Sequence, residues 1–189
     1  MLIHLVASFS IHIAEWIEKG EVDVGLIYYP NAGAAIRTER ILQEEMFLVC
    51  PVNIAPEAKG VLLAALGEFN MILPRRHDGL RAMLEEHEER SQVRLKVSCE
   101  VDSSSAALVL VADWFGYSII PHPFAAAAEQ AGGAAMVRLF DTSFVRDIYI
   151  AWSKAAPLSL GVRELARQIR LHAHELMQQG IWHGCTIVD

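Results

Sequence analysis

Between Ile13 and Tyr28 the period of the apolar positions changes. Ile13, Trp16 and Ile17 recur at i, i+3 and i+4, one stripe of a helix, while Glu15, Glu18 and Lys19 take the wet side. Gly20 is placed to end that helix, because only glycine enters the left-handed C′ conformation without a Cβ penalty. Val22 to Tyr28 then runs apolar with no polar alternation after Asp23, the pattern of a short strand covered on both faces in a parallel sheet. Met1 to Val6 (MLIHLV) reads as another such strand. The chain therefore opens as strand, helix, strand, with no room for anything before it.

Further along, Met46 to Cys50 (MFLVC) predicts a strand ended by Pro51, after a small-residue loop at Asn31 to Ala35. Pro51 to Gly60 is the crossing point between two halves. Val61 to Gly67 is a short helix and Met71 to Leu73 a short strand ended by Pro74. Leu80, Met83, Leu84 and His87 fall at helical spacing in an acidic helix capped by Asp78. Arg94 to Val101 alternates strictly, with Leu95, Val97, Cys99 and Val101 on one face, so this strand is half exposed. Asp102, Ser103, Ser104 and Ser105 supply cap-type residues for an apolar helix from Ala106 to Phe115, closed by Gly116. Tyr117 to Ile120 is a buried strand, Phe124 to Gln130 a weak helix, and Ile148 to Trp152 a strand returning the chain to its first half. Leu158 to Gln178 is a long terminal helix, and a loose tail follows Gly180. Trp114, Phe115 and Tyr117 read as core. Strands alternating with helices, and a middle block that leaves and returns, predict two α/β lobes.

Bulk properties narrow the functions open to such a fold. With 189 residues and 53% hydrophobic content, the chain can pack a core as one domain or two small lobes. A formal charge of −7 argues against the chain itself gripping nucleic acid, which needs clustered Lys and Arg. The nearest to a basic cluster is Arg75, Arg76 and Arg81. No apolar run reaches the roughly 18 residues of a membrane span, and MLIHLVASFS lacks the cationic start of a signal peptide. Three cysteines, two of them within predicted strands, fit reduced thiols in the cytoplasm. His172 and His174, with His183 and Cys185, invite a metal reading, but two residues apart on a helix they point about 200° apart and cannot share an ion. His77 beside Asp78 has no accompanying catalytic signature: no GxSxG elbow and no HExxH. No enzyme, metal or cofactor is expected.

In family order, several motifs resemble one known family: Ser8 to Ser10 with Trp16, Gly20, Asp23 and Leu26; Ile72 to Arg76 with Gly79, Leu80 and Arg81; Glu100 to Ser103; GYSIIP at Gly116 to Pro121; and Pro157, Leu158 and Ser159. Together, over roughly Leu5 to Leu176, they resemble the effector-binding domain of LysR-type bacterial transcriptional regulators, near the nitrogen-assimilation-control-like branch. The resemblance implies a periplasmic-binding-protein-like (type 2) fold: two α/β lobes joined by two crossover strands, with a small-molecule cleft between them. Residues 1–50 and 149–178 would form lobe I, 51–148 lobe II, and 179–189 the tail. The family's winged helix-turn-helix, and its first effector-domain strand and helix, have no counterpart in the sequence. The expectation is an N-terminally truncated product or gene fragment with lobe I incomplete, reaching DNA only through the absent domain. In the family, homodimers or tetramers pair lobe I of one chain with lobe II of another, partly through the helix matching Gly79 to Arg90. The alternative from another class is a periplasmic-type solute-binding protein for transport, which shares the two-lobed cleft.

Within that fold, two helix N-termini are expected to face the cleft: Ser8, Phe9 and Ser10 in lobe I, and Asp102, Ser103 and Ser104 in lobe II. Their unpaired N–H groups and partial positive charge suit an anionic effector. Strand C-terminal ends opposite a crossover are where α/β sheets bind ligands. The serines also serve as ordinary helix caps, and both roles are compatible. Arg75 and Arg76 follow the strand end at Pro74, where a guanidinium fork would hold a carboxylate; the alternative is a solvated pair on the rim.

Overall fold

The computed structural model describes every residue except 1, 29–34, 55–59, 77, 141–143, 156, 183 and 188–189. His77 and His183, weighed above for acid–base and metal chemistry, therefore lie outside the described residues, as does the loop at Asn31 to Ala34. In chain order the elements are α1 (Ser10–Lys19), β1 (Val24–Tyr28), β2 (Ile36–Cys50), β3 (Asn70–Leu73), α2 (Gly79–Ser91), β4 (Lys96–Glu100), α3 (Ser104–Ala112), β5 (Tyr117–Pro121), α4 (His122–Gln130), β6 (Ala135–Arg138), β7 (Val145–Ser153), α5 (Leu160–Gln178) and β8 (Cys185–Ile187). Val61–Gly67 is a bridge and a short 3-10 turn, Leu63–Glu68, rather than an α-helix.

β2 holds the architecture together. Its first part, 36–45, pairs antiparallel with β7, which pairs antiparallel with β1. Its last part, 46–50, pairs antiparallel with β5 and β6, and β5 continues in parallel to β3 and then β4. The pairing partner thus changes between Glu45 and Met46, inside one continuous strand, and gives a lobe on either side. Alternation along β2 covers both faces of the second lobe. Met46, Leu48 and Cys50 pack with Leu80 and Leu84 of α2, whereas Phe47 and Val49 pack with Ala107 and Val111 of α3 and Ala125 of α4. In the first lobe, Ile148 and Ile150 meet Ala166 and Ala173 of α5, and Ala151 meets Ile17 of α1. A run without polar alternation is what two covered faces require.

Local signals place several boundaries. Gly20 ends α1 at φ 72, and the N–H of Gly20 and of Glu21 return to Ile17 and Trp16. Asp78 caps α2 and Ser103 caps α3 through their side chains. Gly116 enters β5 at φ 156, where an added Cβ would lie 2.3 Å from the Asn70 carbonyl oxygen. Gly116→Ala is expected to cost about 1–3 kcal/mol, because backbone must move to relieve the contact. Urea unfolding measures it, and a loss below roughly 0.5 kcal/mol would show that β5 and β3 adapt freely.

Four expectations are corrected. Residues 2–9 run outside any sheet, with Leu2, Ile3, Leu5 and Val6 exposed. An apolar run licenses a strand only if a neighbour supplies the ladder, and none among the described residues pairs with it. β1 is consequently an outer strand whose sheet partner is antiparallel, and its Leu26 is exposed. The tail beyond Gly180 is not loose: β8 pairs with Leu42, Gln43 and Glu44, and Trp182 packs against the first-lobe core. Finally, α3 stops at Ala112, three residues short of Phe115. Trp114 takes φ 67, which turns Trp114 and Phe115 outward, so both are exposed, while Tyr117 stays half-buried against Phe69.

Candidate ligand-binding cleft

A cavity of about 330 Å³ opens between the lobes. The start of α1 enters it from the first lobe and the start of α3 from the second. Ser8, Phe9, Ser10, Asp102, Ser103 and Ser104 all line it. Their hydroxyls are partly engaged. Ser10 Oγ accepts from the Tyr28 backbone N–H at 2.9 Å and ties the start of α1 to the end of β1. Ser8 Oγ lies 3.0 Å from His12 Nδ1, and Ser103 Oγ accepts from the Ala106 N–H at 3.1 Å. The two helix ends differ: the Phe9 position gives α1 no side-chain cap, so its first N–H groups are left for a ligand or water.

Arg75 and Arg76 do not line the cavity. The carboxylate that Arg75 holds in bidentate fashion is the chain's own Asp102, through Nε at 2.6 Å and through Nη2. Arg76 reaches Glu85 at 3.4 Å. Arg81, almost buried, joins Glu85, Glu100 and the Pro74 carbonyl, so the small basic cluster is spent on internal partners. Both partners of the Arg75 pair are about half exposed, which leaves the pair screened and weak in energy.

Among the described residues, Arg146 is the cation inside the cleft, and the sequence reading missed it. It projects from β7, lines the cavity, and donates from Nε to Glu44 of β2. Its guanidinium lies 3.5 Å from the centre of the Tyr28 ring, in cation–π contact. The side chains of Arg146 and Glu44 are only 12% and 4% exposed, so this pair is shielded from salt. Burial raises the Glu44 pKa above its ordinary value even though Arg146 works in the opposite direction. Tyr28 is likewise raised, by burial first, with Asp78 across the cleft contributing. Leu80, Val101, Ala107, Ile119 and Phe124 supply apolar wall.

None of the three cysteines lines the cavity. Burial pushes Cys50 up to about 11 and Cys185 up to about 12, so neither is a thiolate at neutral pH. His172 pairs with Glu175 and His174 contacts Gln178, on separate sides of α5. No group of metal-ligating side chains occurs among the described residues.

The family model described as the LysR substrate binding domain matches residues 2–173. The chain belongs to that family. Membership sets aside the transport reading. Among relatives, the nitrogen assimilation regulatory protein nac of Klebsiella aerogenes is 23% identical over 163 residues, covering 84% of this chain and 52% of that protein. Its counterpart in Escherichia coli K12 is 22% identical over 176 residues, covering 89% and 56%. The chain thus spans about half the length of the LysR-family relatives it matches. The effector binding domain of QuiR in complex with shikimate superposes with a TM-score of 0.74 at 18% identity, over 82% of this chain and 73% of that one. The CcmR regulatory domain of Synechocystis in complex with 2-PG gives 0.75 at 16%, over 86% and 79%. Full-length CbnR complexed with target DNA gives 0.69 at 21%, over 84% and 54%. These likenesses establish the fold as that of LysR effector-binding domains.

Proposed function

We propose that this LysR-family domain senses a small molecule for a DNA-binding transcriptional regulator and has no catalytic step of its own. The observation that carries the reading is the cavity lined from both lobes, with the starts of α1 and α3 facing it. A ligand that touches both lobes favours whichever arrangement brings them closer, by its differential affinity for the two. Ser8, Phe9, Ser10, Asp102, Ser103 and Ser104 form its polar edge, and the Arg75–Asp102 pair shapes the rim, with Arg76 beside it. The shikimate and 2-PG complexes of the QuiR and CcmR domains support a small organic effector, and the CbnR–DNA complex supports a regulator of transcription. A cytoplasmic setting and assembly as a homodimer or tetramer accompany this reading, with DNA reached through a separate N-terminal domain. No helix among the described residues is long and apolar enough to cross a membrane.

A thermal-shift screen of small metabolites tests the proposal. At about 100 times Kd a cleft ligand adds roughly 2.7 kcal/mol, which for a chain of this size raises Tm by about 5–10 °C. Amide resonances at Ser8 to Ser10 and at Ser103 to Ala107 should move together on binding. Hits that shift resonances only outside the cleft would sink the sensing assignment.

A further inference from the structure

We infer that the cleft selects a small monocarboxylate with an apolar body, and that Arg146 takes the carboxylate. The inference rests on the sensing reading above and deepens it. Arg146 is the one Lys or Arg among the described residues lining the cavity. Glu44 engages its Nε and Tyr28 supports one face of the guanidinium. Among the described residues no hydrogen bond engages Nη1 or Nη2. The fork is therefore held at Nε and on one face, and Arg146 lines the cavity with both terminal nitrogens unengaged among the described residues. A held fork loses little entropy on meeting a carboxylate, and the planar match is bidentate.

Charge and lining narrow the class. Asp78 and Asp102 also line the cavity, and Glu44 lies behind Arg146. Arg75 offsets Asp102, but a dianion such as a phosphate monoester still meets Asp78 in the lining, with Glu44 adding its charge from behind Arg146. A monoanion meets the same carboxylates with half that repulsion. Beyond the fork the wall is formed by Leu80, Val101, Ala107, Ile119 and Phe124, which suits hydrocarbon. Ser118 is buried and its hydroxyl donates to the Ile72 carbonyl at 2.8 Å. Ser10 and Ser103 each already accept from a backbone N–H, so the apolar wall, more than the serine edge, sets the body of the ligand.

The test titrates the full chain, by amide NMR, with straight-chain and aryl monocarboxylates of about five to eight carbons, sized to a small pocket. Their primary amides and the matching phosphate monoesters serve as comparison series. The carboxylates should move the amides of Ser8 to Ser10 and Ser103 to Ala107, and the other two series should bind at least tenfold more weakly. Two folded variants then shift affinity in opposite directions. Arg146→Lys keeps a cation facing Glu44 but loses the fork, and weakens carboxylate binding at least tenfold, about 1.4 kcal/mol. Glu44→Gln keeps an acceptor for Nε but removes the competing charge, and tightens binding about threefold or more. Amides or phosphate monoesters that match the carboxylates at the same resonances would overturn the inference and leave the sensing reading standing. Indifference of carboxylate affinity to both variants overturns it equally, as does silence of the cleft amides toward every probe. The metabolite screen decides the sensing reading separately.

Discussion

Arg146→Met will lower stability by about 3–5 kcal/mol at neutral pH, because it strands the Glu44 carboxylate in a site where its side chain is 4% exposed. Much of that loss is the desolvation of an unpaired charge rather than the worth of the pair, so it has a pH signature. Glu44 is already raised above its ordinary 4.5, by burial first, with Arg146 acting to lower it. Removing Arg146 removes that lowering influence. A carboxyl whose folded pKa is raised binds more protons in the folded state, so its penalty is absent below the ordinary value, grows as pH climbs from there to the folded one, and levels off above it. The deficit of Arg146→Met should therefore shrink as pH falls toward 4.5 and grow as pH rises above it. Adding Glu44→Gln should recover most of it, because no buried charge is then left unpaired. Urea unfolding across pH checks all three variants, and a loss below roughly 1 kcal/mol at neutral pH would mean that the pair behaves as a surface ion pair.

The second large effect lies in the strand that both lobes share. Leu48 is fully buried in β2, between Ile119 of β5 and Val137 of β6, and faces Leu80 and Leu84 of α2. Leu48→Ala removes that side chain from the middle of a pleated layer whose neighbours are held by ladders and cannot collapse inward. The expected cost is about 2–5 kcal/mol, the transfer contribution plus the cavity left behind. Leu171→Ala on the exposed side of α5 serves as the control and should stay within about 0.5 kcal/mol. Equal effects at the two positions would contradict the burial described for β2.

Part of the cleft is visible in one dimension. Ser103 has the residue type of an N-cap and is one, and Asp78 likewise. Placing both helix starts at one cavity needed the resemblance to a two-lobed family, because capping alone is silent on what a helix end faces. Arg75 shows the limit of local reading. Its position after a strand end suggested an open fork, yet Asp102, 27 residues away in sequence, occupies it. Nor does the pattern single out Arg146. It stands in VRDIYIAW, where an arginine beside an aspartate reads as a wet edge, and Asp147 in fact bonds Arg40 and Gln43 instead.

The α/β class, most element positions, the end of α1 at Gly20 and the family could be read from one dimension, because they rest on periodicity, caps and short motifs that act within a few residues. Tertiary structure alone decided which charges are buried and what they meet. Glu44 and Glu45 are adjacent and chemically alike, but the pleat sends them opposite ways: Glu44 into the first lobe against Arg146, Glu45 outward to Arg138. Glu44 and Arg146 are 102 residues apart, and only strand register brings them together beneath Tyr28. The same register made a strand of β8 and left residues 2–9 outside the sheets. Backbone ladders need partners, and a partner is a property of the fold rather than of the segment.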